Sequence, residues 1–186
     1  MWESKAMWIS WWGRLMGKTR KLTLCAVLLS LALSLSYLER FIPLQMVIPL
    51  PGVKLGLANI VTLIALYLLG SKAAFAILVP RCIMGAMFGG GFTALVFSLT
   101  GGVLAMTTMM LCRRAPFFSV YGVSILGAAA HNIGQICSAM VLMRSVYVGA
   151  YLPYLLLVAI ITGFATGGAC AGVLRILEKR FTDYIS

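Results

Sequence analysis

Apolar residues run along this chain in six blocks, divided by short clusters of glycine, proline and basic residues. The blocks fall at about 22–38, 55–70, 73–88, 92–112, 120–143 and 152–174. Most approach the ~20 apolar residues that cross a bilayer as a helix. The second and third are shorter, about 24 Å if helical throughout at ~1.5 Å per residue, and need interfacial or irregular ends. Neither a strand-like alternation nor a long repeat interrupts the pattern. It predicts an all-α integral membrane protein with six transmembrane helices: a basic leader at 1–21, a membrane domain at 22–175 and a tail at 176–186.

Composition agrees. Of 186 residues, 62% are hydrophobic and 10% charged, more apolar surface than a soluble domain of this size can bury. The net charge of +11 suggests nucleic acid until its placement is read. The basic residues flank the apolar blocks, as they do in oriented membrane helices, so no nucleic-acid partner is expected. With the N-terminus inside, eleven lysines and arginines are cytoplasmic against three outside (Arg40, Lys54 and Arg144). Both termini are therefore predicted to be cytoplasmic. All four tryptophans (Trp2, Trp8, Trp11, Trp12) lie among basic residues of the leader, which fits an interfacial helix touching membrane lipids as well as an unstructured leader.

Two apparent motifs carry no chemistry. GRLMGKT (13–19) imitates a phosphate-binding loop, but its first glycine is one residue too close and no strand precedes it. The five cysteines are spread about one per block without a CxxC pair, so buried free thiols are expected and no metal or other cofactor is implied.

The informative residues are the polar ones inside apolar blocks, where each costs a few kcal/mol or more unless it faces a cavity or a partner. Arg81 follows Pro80 in the middle of the third block. GAAAHNIGQICS in the fifth sets His131 and Gln135 one turn apart, with Ser124 and Ser138 on the same stripe and Asn132 beside it. Asn59 lies about 6 Å below the outer end of the second block by helix rise. Lys54 stands at its mouth, after the breakers Pro49, Pro51 and Gly52, with Gly56 next in line. These positions allow an outward-opening polar pocket. They equally fit structural roles: Arg81 bonding a carbonyl near the proline, His131 and Gln135 bonding across helices. No Asp or Glu lies inside any block, and Glu39 at the end of the first is the nearest outer carboxylate. A buried guanidinium so placed suits an anionic group on a substrate. Small residues at Ala26, Ser30 and Ser34, and at Gly163, Gly167, Gly168 and Gly172, let helices approach closely.

PGVKLGLANIVTLIALYLLG, PRCIMGAMFGGGF, SLTGGVLAM and FSVYGVSILGAAAHNIGQ together resemble the bacterial Gx transporter family, also labelled heptaprenyl diphosphate synthase component I. The likeness spans roughly 43–172. More distantly, the K-L-G opening of the second block resembles the S components of energy-coupling factor transporters. This second resemblance implies an S-component-like bundle in the bacterial cytoplasmic membrane, capturing a small-molecule substrate and energised by a transmembrane coupling protein with ATPase subunits. It further implies a gate at Pro49, Pro51, Gly52 and Gly56 and a docking ridge at Ala26, Ser30 and Ser34. The alternative label implies a membrane partner of a polyprenyl diphosphate synthase. Such catalysts hold Mg²⁺ with clustered carboxylates, and this chain has one aspartate, Asp183, so it is not expected to be the catalytic subunit.

Overall fold

The computed structural model describes residues 17–41, 56–88 and 91–185. Among them six α-helices follow in order: α1 (Lys18–Leu38), α2 (Asn59–Leu68), α3 (Ser71–Met87), α4 (Gly91–Arg114), α5 (Val120–Met143) and α6 (Leu152–Ile185). Short 3₁₀ segments at Glu39–Phe41 and Val146–Tyr151 follow α1 and precede α6. Each apolar block became one helix. Four of them, α1, α4, α5 and α6, are long and apolar enough to cross a membrane, which makes this a multi-pass membrane protein. The other two have 10 and 17 residues. Pro49, Pro51, Gly52, Lys54 and the leader tryptophans lie outside the described residues.

Local chemistry sets the ends. Ser119 caps α5 by accepting a hydrogen bond from the Gly122 N–H, and α5 closes on Arg144 in the left-handed region, φ 49°. Gly70, at φ 87°, ends α2 by donating its N–H to the Ala65 carbonyl. α6 runs on through 176–185, so the expected tail is a continuation of the last helix.

The helices pack where side chains are smallest. A Cβ built on Gly134 of α5 would fall 2.8 Å from the Gly101 Cα of α4, and one on Gly163 of α6 only 2.6 Å from the Ile125 Cα of α5. Gly167 approaches the Tyr121 backbone in the same way. Backbones this close contribute the van der Waals contact that holds helices together where lipid removes the hydrophobic drive. Hydroxyl pairs tie the same interfaces: Ser138 to Thr100 and Ser124 to Thr166, both at 2.6 Å. α5 is thus clasped by α4 and α6, and α1 packs beside α2 and α3. α1 buries only Leu28 and Ala32. Its Ala26, Ser30 and Ser34 are exposed, the serine hydroxyls bonded to their own helix carbonyls at Ala26 and Ser30. The five cysteines are free; Cys137 is exposed on the bundle surface, against the expectation of buried thiols.

Candidate functional site

The site draws on α1, the 3₁₀ turn after it, the entry to α2, and α3, α4 and α5. The 3₁₀ turn after α1 brings Glu39 inward until it is 3% exposed. Gly56, entering α2, takes φ 80°, which glycine adopts without strain, and donates its N–H to the Glu39 carboxylate. α3 supplies Arg81 and Cys82, and α5 supplies His131. Arg81 and His131 are 5% and 3% exposed.

These groups line one small cavity of about 10 Å³, together with Ser36 and Ser98. That is room for a single water molecule. The imidazole of His131 fits because two glycines flank it. A Cβ at Gly56 would lie 3.0 Å from its Cδ2, and one at Gly101 would lie 2.9 Å from its Nδ1. The Arg81 guanidinium approaches the Cys82 sulfur at 4.0 Å, and the Cys82 thiol donates to the Ser98 carbonyl at 3.4 Å. Sulfur is a weak acceptor, so this contact satisfies little of the guanidinium's donor capacity.

Of the residues singled out in sequence, Arg81 and His131 come together at this cavity with Gly56. Asn59 stands beside it, its amide nitrogen 2.8 Å from where a Gly56 Cβ would be. Its buried Oδ1 has no hydrogen-bond partner among the described residues, and neither does Thr62 Oγ1 one turn on. Buried acceptors of this kind require a water or a ligand to be satisfied. Asn132 points elsewhere, donating from Nδ2 to the Leu155 carbonyl of α6 at 2.7 Å. Gln135 is fully buried in α5 but does not line the cavity.

Sequence reasoning placed Glu39 outside the pocket, at the end of a span. The structure turns it in, so the cavity holds a carboxylate as well as a guanidinium. The available signal was its rarity, as one of four acidic residues in the chain; the turn that buries it was not readable from the pattern. Cys82 and Ser98 were likewise missed, since both look like ordinary small core residues.

Comparison with known proteins gives one family: the profile of heptaprenyl diphosphate synthase component I matches residues 28–173. The chain belongs to that family. Neither the curated proteins nor the solved structures yield a match. The matched region runs from within α1 to within α6, so it includes every described residue of the cavity. The family's description ties this membrane protein to a heptaprenyl diphosphate synthase as one of its components.

Proposed function

We propose that this chain is the membrane-embedded substrate-binding component of an importer, receiving a small molecule with an anionic group and energised by separate subunits. The observation that carries the reading is the convergence of a buried guanidinium and a buried imidazole on one small polar cavity. A charge buried in a membrane protein normally has a functional counterpart. Here Arg81 meets the anionic group, while His131 and Asn59 fix orientation. All six helices cross the bilayer, with both termini in the cytoplasm of a bacterial cell. The exposed ridge of Ala26, Ser30 and Ser34 is the surface for a coupling protein.

Mass spectrometry of small molecules copurifying with the full chain tests this. The expected result is an anionic compound that disappears in Arg81→Gln. An empty wild-type protein whose thermal midpoint is unaltered by Arg81→Gln would overturn the reading.

A second reading is favoured by the family description: a non-catalytic membrane partner of a polyprenyl diphosphate synthase. Affinity purification separates the two. Recovery of a soluble synthase without a coupling protein or ATPase selects the partner role.

A further inference from the structure

Two buried side chains on α2 make no hydrogen bond among the described residues. Asn59 Oδ1 and Thr62 Oγ1 each lack a partner, and their residues are 8% and 0% exposed. The two are three positions apart, so their Cβ atoms share a helix face at about 5–6 Å. Side chains on a helix lean towards its N-terminus, which carries the Thr62 hydroxyl towards the turn that holds Asn59.

Thr62 is the informative member. Elsewhere in the bundle a threonine hydroxyl is satisfied by its own helix. Thr23, Thr100, Thr107, Thr108 and Thr162 each donate to the carbonyl four residues earlier, and Thr166 to the one three residues earlier. For Thr62 that acceptor would be the Ala58 carbonyl, and the bond is not made. A bridging water would not require this, because a hydroxyl can donate to its helix and still accept from water. Forgoing the bond leaves the Ala58 carbonyl, itself in a buried residue, with a free lone pair. Asn132 Oδ1 also lacks a partner, but its amide is fixed by the bond from Nδ2 to Leu155. The Asn59 amide has no such anchor.

The chemistry of these oxygens selects their occupant. Uncharged oxygen ligands suit a hard cation, and divalent ions call for clustered carboxylates, so the fitting ion is monovalent. Complete burial of the ligands favours the smaller sodium over potassium. Irregular backbone opening a membrane helix is where sodium-coordinating carbonyls occur. Here residues 56–58 lead into α2 outside the helix, with Gly56 at φ 80°. The positive end of α2 opposes a cation. The Glu39 carboxylate, which accepts the Gly56 N–H at the same entry, offsets that opposition.

We propose that Asn59 Oδ1, Thr62 Oγ1 and the Ala58 carbonyl hold a dehydrated sodium ion at the entry to α2. The other end of the same amide serves the polar cavity. Asn59 Nδ2 lies 2.8 Å from where a Gly56 Cβ would be, and that position is 3.0 Å from the His131 ring. An ion on Oδ1 therefore fixes the amide with its donor towards Gly56 and His131. The ion site goes beyond the substrate-binding reading and stands without it.

The full chain in phosphatidylcholine nanodiscs tests the site. Its thermal midpoint is compared in sodium, potassium and choline chloride at constant ionic strength, alongside retention of ²²Na⁺. The midpoint is expected to rise with sodium and to stay flat in choline, as binding to the folded state requires. Thr62→Val keeps the shape, removes one oxygen and is expected to raise the half-saturating sodium concentration about tenfold. Thr62→Ser, which restores the oxygen, should stay close to the parent chain. Should Thr62→Val fail to fold, Asn59→Asp, which adds charge to a ligand, is expected to lower that concentration about tenfold. Equal midpoints in sodium and choline, with no ²²Na⁺ retained, overturn the proposal in favour of buried water. A sodium response unchanged in both Thr62→Val and Asn59→Asp puts the ion elsewhere and overturns it as well. A potassium response equal to that of sodium overturns the choice of ion.

Discussion

His131 sits between two backbones that carry no side chain. Gly56 presses on one part of its ring and Gly101 on another, each leaving no more than about 3 Å for an added methyl. A Cβ on Gly101 would also lie 2.9 Å from the His131 carbonyl oxygen, an atom that cannot rotate away. Gly101→Ala should therefore force α4 and α5 apart and cost ~1–3 kcal/mol, as overpacking does. Gly172→Ala is the control: nothing lies within 4 Å of its Cβ position, so it should be neutral or raise stability by up to ~1 kcal/mol through helix propensity. Thermal unfolding of the two variants side by side checks the contrast. At this scale the sequence was readable wherever polarity contradicted its surroundings, as with Arg81 and His131. It was silent on direction. Asn132 adjoins His131 in the chain, yet its amide serves the α6 carbonyl of Leu155.

Among the helices, α2 depends most on its neighbours. Ten residues rise about 15 Å, too little to be stable alone. Its C-terminal carbonyls are claimed from two directions. The Leu69 and Gly70 N–H groups both donate to the Ala65 carbonyl, and Arg113 of α4 donates to the Leu66 carbonyl. The same guanidinium lies 4.7 Å from the centre of the Tyr67 ring, a cation–π contact. In the sequence Arg113 is one more basic residue at the edge of an apolar block, and the positive-inside pattern accounts for it fully. Its reach across to α2 is a tertiary fact. Arg113→Ala should cost ~1–3 kcal/mol by leaving a buried carbonyl unpaired and should speed hydrogen exchange at Leu69 and Gly70. Unchanged exchange there would remove the clamp. Arg113→Lys should recover only part of the loss, because a point charge cannot both bond the carbonyl and stack on the ring.

Over the whole molecule, the order and positions of the six helices were legible because each apolar block demands a single solution in a bilayer. The fifth block was placed at 120–143, which is where α5 runs. Less legible were features that no lipid boundary dictates, such as the extension of α6 to Ile185 and the 3₁₀ turn that buries Glu39. Orientation in the membrane remains a prediction of the charge pattern. Reporter tags inserted after Ala115, between α4 and α5, and after Ser145, between α5 and α6, should report opposite faces of the membrane, cytoplasmic and external respectively. Finding both on one side would mean that α5 does not cross.

The smallness of the polar cavity bears on how any affinity should be understood. A space for one water is not the shape that first meets a larger molecule, so binding draws on an opened conformer. The measured dissociation constant is then the intrinsic one divided by the fraction of molecules open. If about one molecule in a hundred is open, the apparent constant is roughly 100-fold weaker than the fit itself. A modest affinity would accordingly report how tightly the helices confine the cavity as much as how well Arg81 and His131 grip what enters.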